Sequence, residues 1–152
     1  MLGCSQAGYT SPPTAPSVQS PSNGSWAVTE VFTGISTSSR CEAPSTVVGK
    51  SFAQEMVVDR SVTHLTLYVG ATATDFRNAE TYDGTMSGDA FTSTVRFGVP
   101  SALCPGSSAT GTDTISGSFS TDGRHLTAHE IVTDHWPDGD VVTELDWAAD
   151  HK

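Results

Sequence analysis

From Gly24 onward, apolar side chains recur at every second position of the chain. In residues 64–69, for example, Leu65, Leu67 and Val69 alternate with less apolar neighbours. Successive side chains of a β-strand point to opposite faces, so a period of two predicts half-buried antiparallel strands. No stretch shows the 3.6-residue period of an amphipathic helix. The pattern therefore restricts the chain to an all-β fold.

Residues 1–23 differ from the rest of the chain in composition. They contain no charged residue and four of the eight prolines, and they lack apolar periodicity. A segment of this kind cannot bury enough apolar surface to offset the entropy cost of ordering. We predict a disordered Ser/Pro/Thr-rich tether over residues 1–23 and one folded domain over residues 24–152.

The start of the tether, Met1-Leu2-Gly3-Cys4-Ser5, resembles the end of a bacterial lipoprotein signal. In such signals a small residue precedes a cysteine that becomes the lipidated N-terminus after cleavage. Gly3 and Cys4 fit this pattern, whereas Leu2 stands where a smaller residue is usual. The resemblance implies a lipid anchor at Cys4. The alternative is an unpaired thiol in the tether.

Cys41 and Cys104 are the other two cysteines, and both lie in loop-like settings close to a proline. Neither has the short spacing to further Cys or His residues that a zinc site requires. A disulfide between them would close a long loop, stabilise the fold by roughly 4 kcal/mol on the chain-entropy model, and imply an oxidising compartment. The alternative is two reduced, buried cysteines in a cytosolic protein.

The number of strands depends on segment 71–79, which could be a short ninth strand or a connection. In an up-and-down meander, the loops that carry Cys41 and Cys104 lie at the same end only if this segment is a connection. Eight strands then follow, at roughly 24–35, 50–58, 63–70, 80–87, 89–98, 113–120, 124–134 and 140–149. An even count lets the first and last strands pair antiparallel and close an up-and-down barrel without sheet edges.

The two ends of this predicted barrel differ. One end has the tight turns at residues 59–61, around Gly88, and at residues 121–123, where Asp122-Gly123 is a good hairpin signal. The other end has four connections, three of them long. We therefore expect a cup with a closed base and a mouth lined by loops.

Gly24-Ser25-Trp26, at the start of the first strand, resembles the G-x-W that opens the lipocalin and avidin branches of the calycin barrels. The resemblance implies an eight-stranded lipocalin-like barrel whose base is plugged by Trp26. The chain departs from the family pattern in lacking a Thr-Asp-Tyr loop motif, an arginine near the end of the last strand that could stack on Trp26, and a C-terminal helix.

Glu30 and Glu130 fall on the face that carries the inward apolar residues of their strands. An unpaired carboxylate inside a barrel is costly, so both need an explanation. They could satisfy each other, a tyrosine such as Tyr82, or solvent. Alternatively, they could bind a cationic or hydroxylated ligand, or act as an acid/base pair with raised pKa values.

The histidines do not predict a metal site. His125 and His129 would lie about 13 Å apart on a strand and face outward, which is too far to share one ion. We expect His135 and His151 at the solvated surface, and residues 138–140 to form a turn. The chain also lacks G-x-S-x-G, S-x-x-K and H-E-x-x-H motifs. No metal, cofactor or catalytic residue is assigned.

The charge of the chain restricts its partners. Acidic residues outnumber basic ones by ten, which disfavours nucleic acid and direct insertion into anionic bilayers. No run approaches the roughly 20 apolar residues of a membrane helix, so contact with a membrane would occur only through a lipid on Cys4. We expect a monomer in the bacterial cell envelope, lipid-anchored in the periplasm or on the outer surface, or else secreted.

Three functional hypotheses remain. In the first, the cup binds a small apolar or amphipathic molecule through interior residues. The candidate lining residues are Glu30, Phe32, Leu67, Phe91, Val95, Phe119, Glu130 and Trp147.

In the second hypothesis, the chain resembles small secreted inhibitor barrels of bacterial envelopes, and the loops of Cys41 and Cys104 bind an envelope protein. The third is an enzyme whose residues cluster at the mouth, namely Asp75, Arg77, His135 and Asp138. The sequence does not decide whether the protein is an enzyme.

Overall fold

The structure, a computed structural model, describes residues 22–42, 47–101 and 103–152. The predicted tether and the candidate lipidation site at Cys4 fall almost entirely outside these ranges. Within them, no helix is long and apolar enough to cross a membrane.

Eight antiparallel strands form a closed barrel in the order β1 to β8, and β1 pairs with β8. This confirms the predicted eight-stranded, all-β, up-and-down barrel. The strands are β1 (Gly24–Thr37), β2 (Ser51–Arg60), β3 (His64–Val69), β4 (Glu80–Ser87), β5 (Ala90–Pro100), β6 (Ser108–Phe119), β7 (His125–Trp136) and β8 (Gly139–His151). The 71–79 segment is a connection with one isolated bridge, Thr72 to Asp75.

Most strand limits differ from the prediction by one or two residues, and the start of β6 differs by five. β2 continues through Arg60, which was expected in a turn, because Arg60 pairs with Leu65 on β3. β6 begins at Ser108, five residues before its predicted start at 113, because its polar first residues continue the ladder with β5 up to Pro100. Backbone pairing rather than apolar alternation sets both limits.

The base of the barrel carries the tight turns, as predicted. Gly88 (φ 64°) and Gly123 (φ 70°) adopt the left-handed conformation in two of them, which glycine does without a Cβ penalty. Above these turns, the lower half of the barrel is closely packed. Its core consists chiefly of Val28, Met56, Val58, Leu65, Leu67, Met86, Phe91, Ile115, Phe119 and Leu126 around Trp26.

Trp26 closes the base. Its side chain is fully buried, its ring meets Phe119 edge-on at 5.7 Å, and its Nε1 donates a hydrogen bond to the Ser22 carbonyl at 2.9 Å. The guanidinium of Arg60 lies 4.6 Å from the centre of the Phe119 ring and donates to Asp89 at 2.9 Å. An arginine from β2, not from the last strand, therefore covers the base.

The prediction that His151 lies at the solvated surface is wrong. Its ring packs edge-on against Trp26 at 5.2 Å, and its Nε2 lies 3.0 Å from the carbonyl of Asn23. His151 is therefore half-buried rather than solvated. The antiparallel pairing of β1 with β8, which sets Trp26 opposite His151, produces this contact.

A disulfide joins Cys41 and Cys104 at the other end of the barrel, which confirms the predicted pairing. It links the β1–β2 and β5–β6 connections, which both lie at the mouth. A small second core surrounds it, with Ala109, Trp136 and Val141. The Ser101 hydroxyl also donates to the Cys41 carbonyl at 2.6 Å, so these two connections are held to each other.

Candidate functional site

The upper half of the barrel is open, in contrast to the packed base. One pocket of about 440 Å³ is lined by Glu80, Thr81, Tyr82, Val95, Phe97, Asp113 and Val132. A second, of about 310 Å³, is lined by Glu30, Phe52, Gln54, Val69, Gly70, Asn78, Glu80, Tyr82 and Trp147. The two pockets share Glu80 and Tyr82, so together they form one candidate site, which we call the cup pocket.

Other depressions lie on the outside of the barrel. One follows residues 74–77 of the β3–β4 connection, and another lies over Gly117 between exposed side chains of β6, β7 and β8. Gly117 leaves this gap because a Cβ there would overlap Ala128. Neither depression includes a buried acidic side chain, so we place the candidate site in the cup pocket.

Tyr82 and Asp113 form the centre of the cup pocket. They lie on β4 and β6, and the phenol of Tyr82 donates to Asp113 Oδ2 at 2.9 Å. Glu80 Oε2 lies 3.1 Å from the same phenol oxygen. Since a phenol has one proton to donate, it satisfies only one of these two carboxylates at a time. Tyr82 therefore links the acidic groups without neutralising them.

Glu130 and Glu30 lie next to this centre. Trp147 Nε1 donates to Glu130 Oε2 at 2.7 Å, and Gln54 donates through its amide to Glu30 Oε1. Glu30 on β1 and Glu130 on β7 lie on either side of β8, where they pair with Trp147 and Leu145. Glu30 and Glu130 therefore do not satisfy each other by a direct hydrogen bond, since each accepts from a different donor.

Burial raises the pKa values of this group. Desolvation raises the pKa of Glu30 to about 7, although the hydrogen bond from Gln54 opposes the shift. Desolvation, followed by the negative charge of Asp113, raises the pKa of Glu130 to about 8. Desolvation also raises the pKa of Asp113 and that of Tyr82. Near neutral pH, the cup pocket therefore holds protons that exposed carboxyl groups would have lost.

Two buried carboxylate oxygens have no hydrogen-bond partner among the described residues, Asp134 Oδ1 and Asp113 Oδ1, and the second belongs to a residue that lines the cup pocket. Asp113 is 6% exposed, and its Oδ1 has no hydrogen-bond partner within the described ranges. The neighbouring Glu130 is the group with which Oδ1 can share a proton, and this interaction contributes to the raised pKa of Glu130. Without such a proton, the oxygen would carry the cost of an unsatisfied buried acceptor.

No basic side chain balances these acids. All seven Lys and Arg residues lie in the described ranges, and none lines the cup pocket. Arg60 is half-buried but lies at the base, and the other six are exposed. The described His, Cys, Asp and Glu residues also include no group of three or more that could hold a metal ion.

The apolar part of the pocket lining consists of Val95, Phe97 and Val132, and Val95 and Val132 are the cross-strand neighbours of Asp113 on β5 and β7. Phe97 pairs with Gly111 across β5 and β6, and a Cβ on Gly111 would overlap the Phe97 ring. Gly111 therefore allows the ring to lie against the barrel wall. The result is a pocket in which acidic and apolar side chains lie next to each other, which suits an amphipathic molecule.

The structure brings together only some of the predicted lining residues. Glu30, Val95 and Trp147 line the cup pocket, and Glu130 contacts Trp147. Phe32 packs near the mouth, with its ring 5.8 Å from that of Phe52. The remaining three lie in the packed lower core, namely Leu67, Phe91 and Phe119.

Sequence reasoning did not select Asp113, Phe97, Val132 or Glu80 as site residues. The signal was present for Asp113, which lies two residues before the buried Ile115 and so faces the same side of β6. Phe97 and Val132 likewise continue the inward alternation of β5 and β7 toward the mouth. The strand pattern shows that they face inward, but not that the upper half stays open.

The four mouth residues of the enzyme hypothesis form three separate contacts and do not form one cluster. Asp75 pairs with Arg77 at 2.7 Å, Asp138 accepts from the Ser39 hydroxyl at 2.6 Å, and His135 pairs with Asp140 at 3.0 Å. His125 and His129 are exposed on β7 and pair with Asp150 and Asp146. The side chains at the mouth therefore stabilise loops and strand ends rather than form one reactive group.

No known family model matches the chain, and no curated protein matches it. Among solved structures, the chain is similar to the monomer form of the PknI sensor domain of M. tuberculosis, with a TM-score of 0.53 and 14% sequence identity. The match covers 91% of this chain and 90% of that chain. At this identity, the similarity shows a shared barrel fold. The disulfide is compatible with an extracytoplasmic location.

Proposed function

We propose that this protein is a lipocalin-like barrel that binds a small amphipathic molecule in its cup pocket. The binding would take place in the bacterial envelope, with the barrel held there by a lipid on Cys4. The disulfide supports the oxidising compartment, and the resemblance of residues 1–5 to a lipoprotein signal supports the anchor.

The observation that carries this proposal is the pocket of about 440 Å³, in which apolar side chains lie on both sides of a buried, incompletely satisfied carboxyl group at Asp113. A packed, purely structural barrel would fill this volume with side chains, as the lower half does. Polar groups placed against an apolar wall are typical of ligand pockets.

A neutral fluorescent dye, Nile red, tests the proposal. We expect wild-type protein to bind it and Val132→Trp to bind it at least about tenfold more weakly, because the indole would occupy the pocket. Ile131→Trp is the matched control, since Ile131 is the neighbouring residue on β7 and faces solvent. No binding to the wild type, or equal binding to both variants, would refute the proposal.

A second candidate function is supported by exposed apolar residues at the mouth. Val48, Phe52, Phe76 and Leu103 are all more than two-fifths exposed, and they belong to the connections or strand ends around the opening. Such residues can bind a protein partner. If this is the function, Leu103→Asp should abolish capture of an envelope protein that the wild-type domain retains, while Val132→Trp should not.

A further inference from the structure

We propose that the polar group of the ligand is an organic cation, specifically a protonated amine, bound at Asp113. This inference rests on the proposed binding function and specifies the chemistry of its ligand. It follows from the acidic groups inside the barrel, from one buried acceptor and from the apolar residues beside that acceptor.

The first observation is the charge balance. Four carboxyl groups surround the cup pocket, those of Glu30, Glu80, Asp113 and Glu130, and no Lys or Arg lies among its lining residues. Their hydrogen-bond donors are the neutral groups of Gln54, Tyr82 and Trp147. An anionic ligand would be repelled here, whereas a cationic ligand would favour the ionised carboxylates over the protonated carboxyl groups that burial otherwise favours.

The second observation is the acceptor. Asp113 is more than nine-tenths buried and lines the pocket, and the proton that it can share with Glu130 is the donor that the described residues offer to Oδ1, which makes no direct hydrogen bond. Its other oxygen is already held by Tyr82 at 2.9 Å, which fixes the direction of the carboxylate. An ammonium N–H can take the place of this shared proton at Oδ1 and compensate the ionised carboxylate in one contact, and such charge-assisted bonds are roughly twice as strong as neutral ones.

The third observation concerns the rest of the ligand. Val95, Phe97 and Val132 lie on the wall beside Asp113, so an aliphatic chain attached to the amine would contact apolar carbon. A bare metal ion does not fit, because the described acidic groups do not converge on one point. The site therefore fits an amphipathic amine better than an inorganic cation.

Three probes with the same alkyl chain separate the possibilities: octylammonium, 1-octanol and octanoate, each titrated by calorimetry. We expect octylammonium to bind at least about tenfold more tightly than 1-octanol, and octanoate to bind most weakly, because a hydrogen bond to a charged group contributes more than a neutral one. Equal affinity for octylammonium and 1-octanol would overturn the cation inference but leave the proposed function standing.

A variant pair locates the effect. Asp113→Asn keeps a group that can accept from Tyr82 but removes the charge, so it should reduce the affinity for octylammonium to that for 1-octanol. Asp59→Asn is the matched control, because Asp59 is exposed on β2, and it should keep the preference. A preference that survives in Asp113→Asn would overturn the inference. Failure of all three probes and of Nile red would instead count against the proposed function itself.

Discussion

Tyr82 and Asp113 hydrogen-bond at 2.9 Å across the inside of the barrel, from strands β4 and β6, which are separated by β5. Both side chains are 6% exposed. The contact therefore joins two non-adjacent walls of the barrel at the boundary between its packed lower half and its open upper half. It also orients the carboxylate on which the proposed ligand site depends.

Tyr82→Phe should destabilise the fold by about 1–3 kcal/mol, because it leaves Asp113 without its phenol donor. The loss should be larger at pH 8 than at pH 5, since protonation at low pH relieves the unsatisfied carboxylate. Urea unfolding at both pH values measures this.

Tyr68→Phe is the control for Tyr82→Phe. The Tyr68 ring packs edge-on against Phe76 at 5.1 Å in the upper part of the barrel, and its phenol has no hydrogen bond within the described residues. We expect a change within about 0.5 kcal/mol for this variant. An equal loss in both variants would show that the Tyr82 phenol does not support Asp113.

The stability of the protein should fall as the pH rises. In the folded state the pKa values of Glu30 and Glu130 are raised from 4.5 to about 7 and about 8, so the folded protein holds protons that the unfolded chain has released. Between pH 4.5 and 8 the free energy of unfolding therefore decreases with pH, by at most about 1.4 kcal/mol per pH unit for each group.

Glu130→Gln should flatten this pH dependence. The glutamine cannot ionise, and its amide oxygen can still accept from Trp147, so the variant should be at least as stable as wild type at pH 8. Asp59→Asn should leave the slope unchanged because Asp59 is exposed. Urea midpoints between pH 5 and 8 provide the measurement, and a wild-type stability that rises over this range would contradict the assignment of buried, protonated glutamates.

Replacing both Cys41 and Cys104 with Ser should cost about 4 kcal/mol, because the disulfide joins residues 63 positions apart and restricts the unfolded chain. Reduction of the wild-type protein should have the same effect on the urea midpoint. A Cys4→Ser background keeps the third thiol from exchanging with the pair. If reductant left the midpoint unchanged, the disulfide would contribute no stability.

Trp26→Phe should destabilise the fold by about 1–3 kcal/mol, since it removes buried volume and the hydrogen bond to Ser22. It should not weaken Nile red binding, because the base is separated from the cup pocket by the packed core. Val62→Ala, at an 88% exposed position in the β2–β3 turn, should change stability by less than about 0.5 kcal/mol. If the Trp26→Phe variant is fully folded but no longer binds Nile red, the base and the cup pocket are coupled.

The barrel could be predicted from the sequence for two reasons. The alternation of apolar and polar residues marks each strand locally, and the pairing of Cys41 with Cys104 fixes the number of strands between their loops. The start of β6 could not be predicted, since residues 108–112 contain little apolar material and are held in place by pairing with β5. His151 was misplaced for a related reason. Its contact with Trp26 depends on the closure of the barrel between β1 and β8, which no local pattern encodes.

The candidate site was only partly predictable. Glu30 and Glu130 are flanked by apolar residues two positions away on both sides, which made their inward position clear. Asp113 has the apolar Ile115 on one side but Gly111 on the other, so the apolar flank that marks an inward carboxylate is present on one side only. Whether large side chains fill or line a barrel depends on their combined volume in three dimensions, so the boundary between the two halves emerged only from the structure.

The most direct test of the account is a two-dimensional amide NMR titration of the protein with octylammonium and, separately, with 1-octanol. We predict that the shifts concentrate in the upper parts of β4 to β7, at Tyr82, Val95, Phe97, Asp113 and Val132, while the amides of the base around Leu65 and Leu126 stay unchanged. Shifts confined to the rim at Val48 and Leu103, or no shifts with either probe, would contradict ligand binding in the cup pocket.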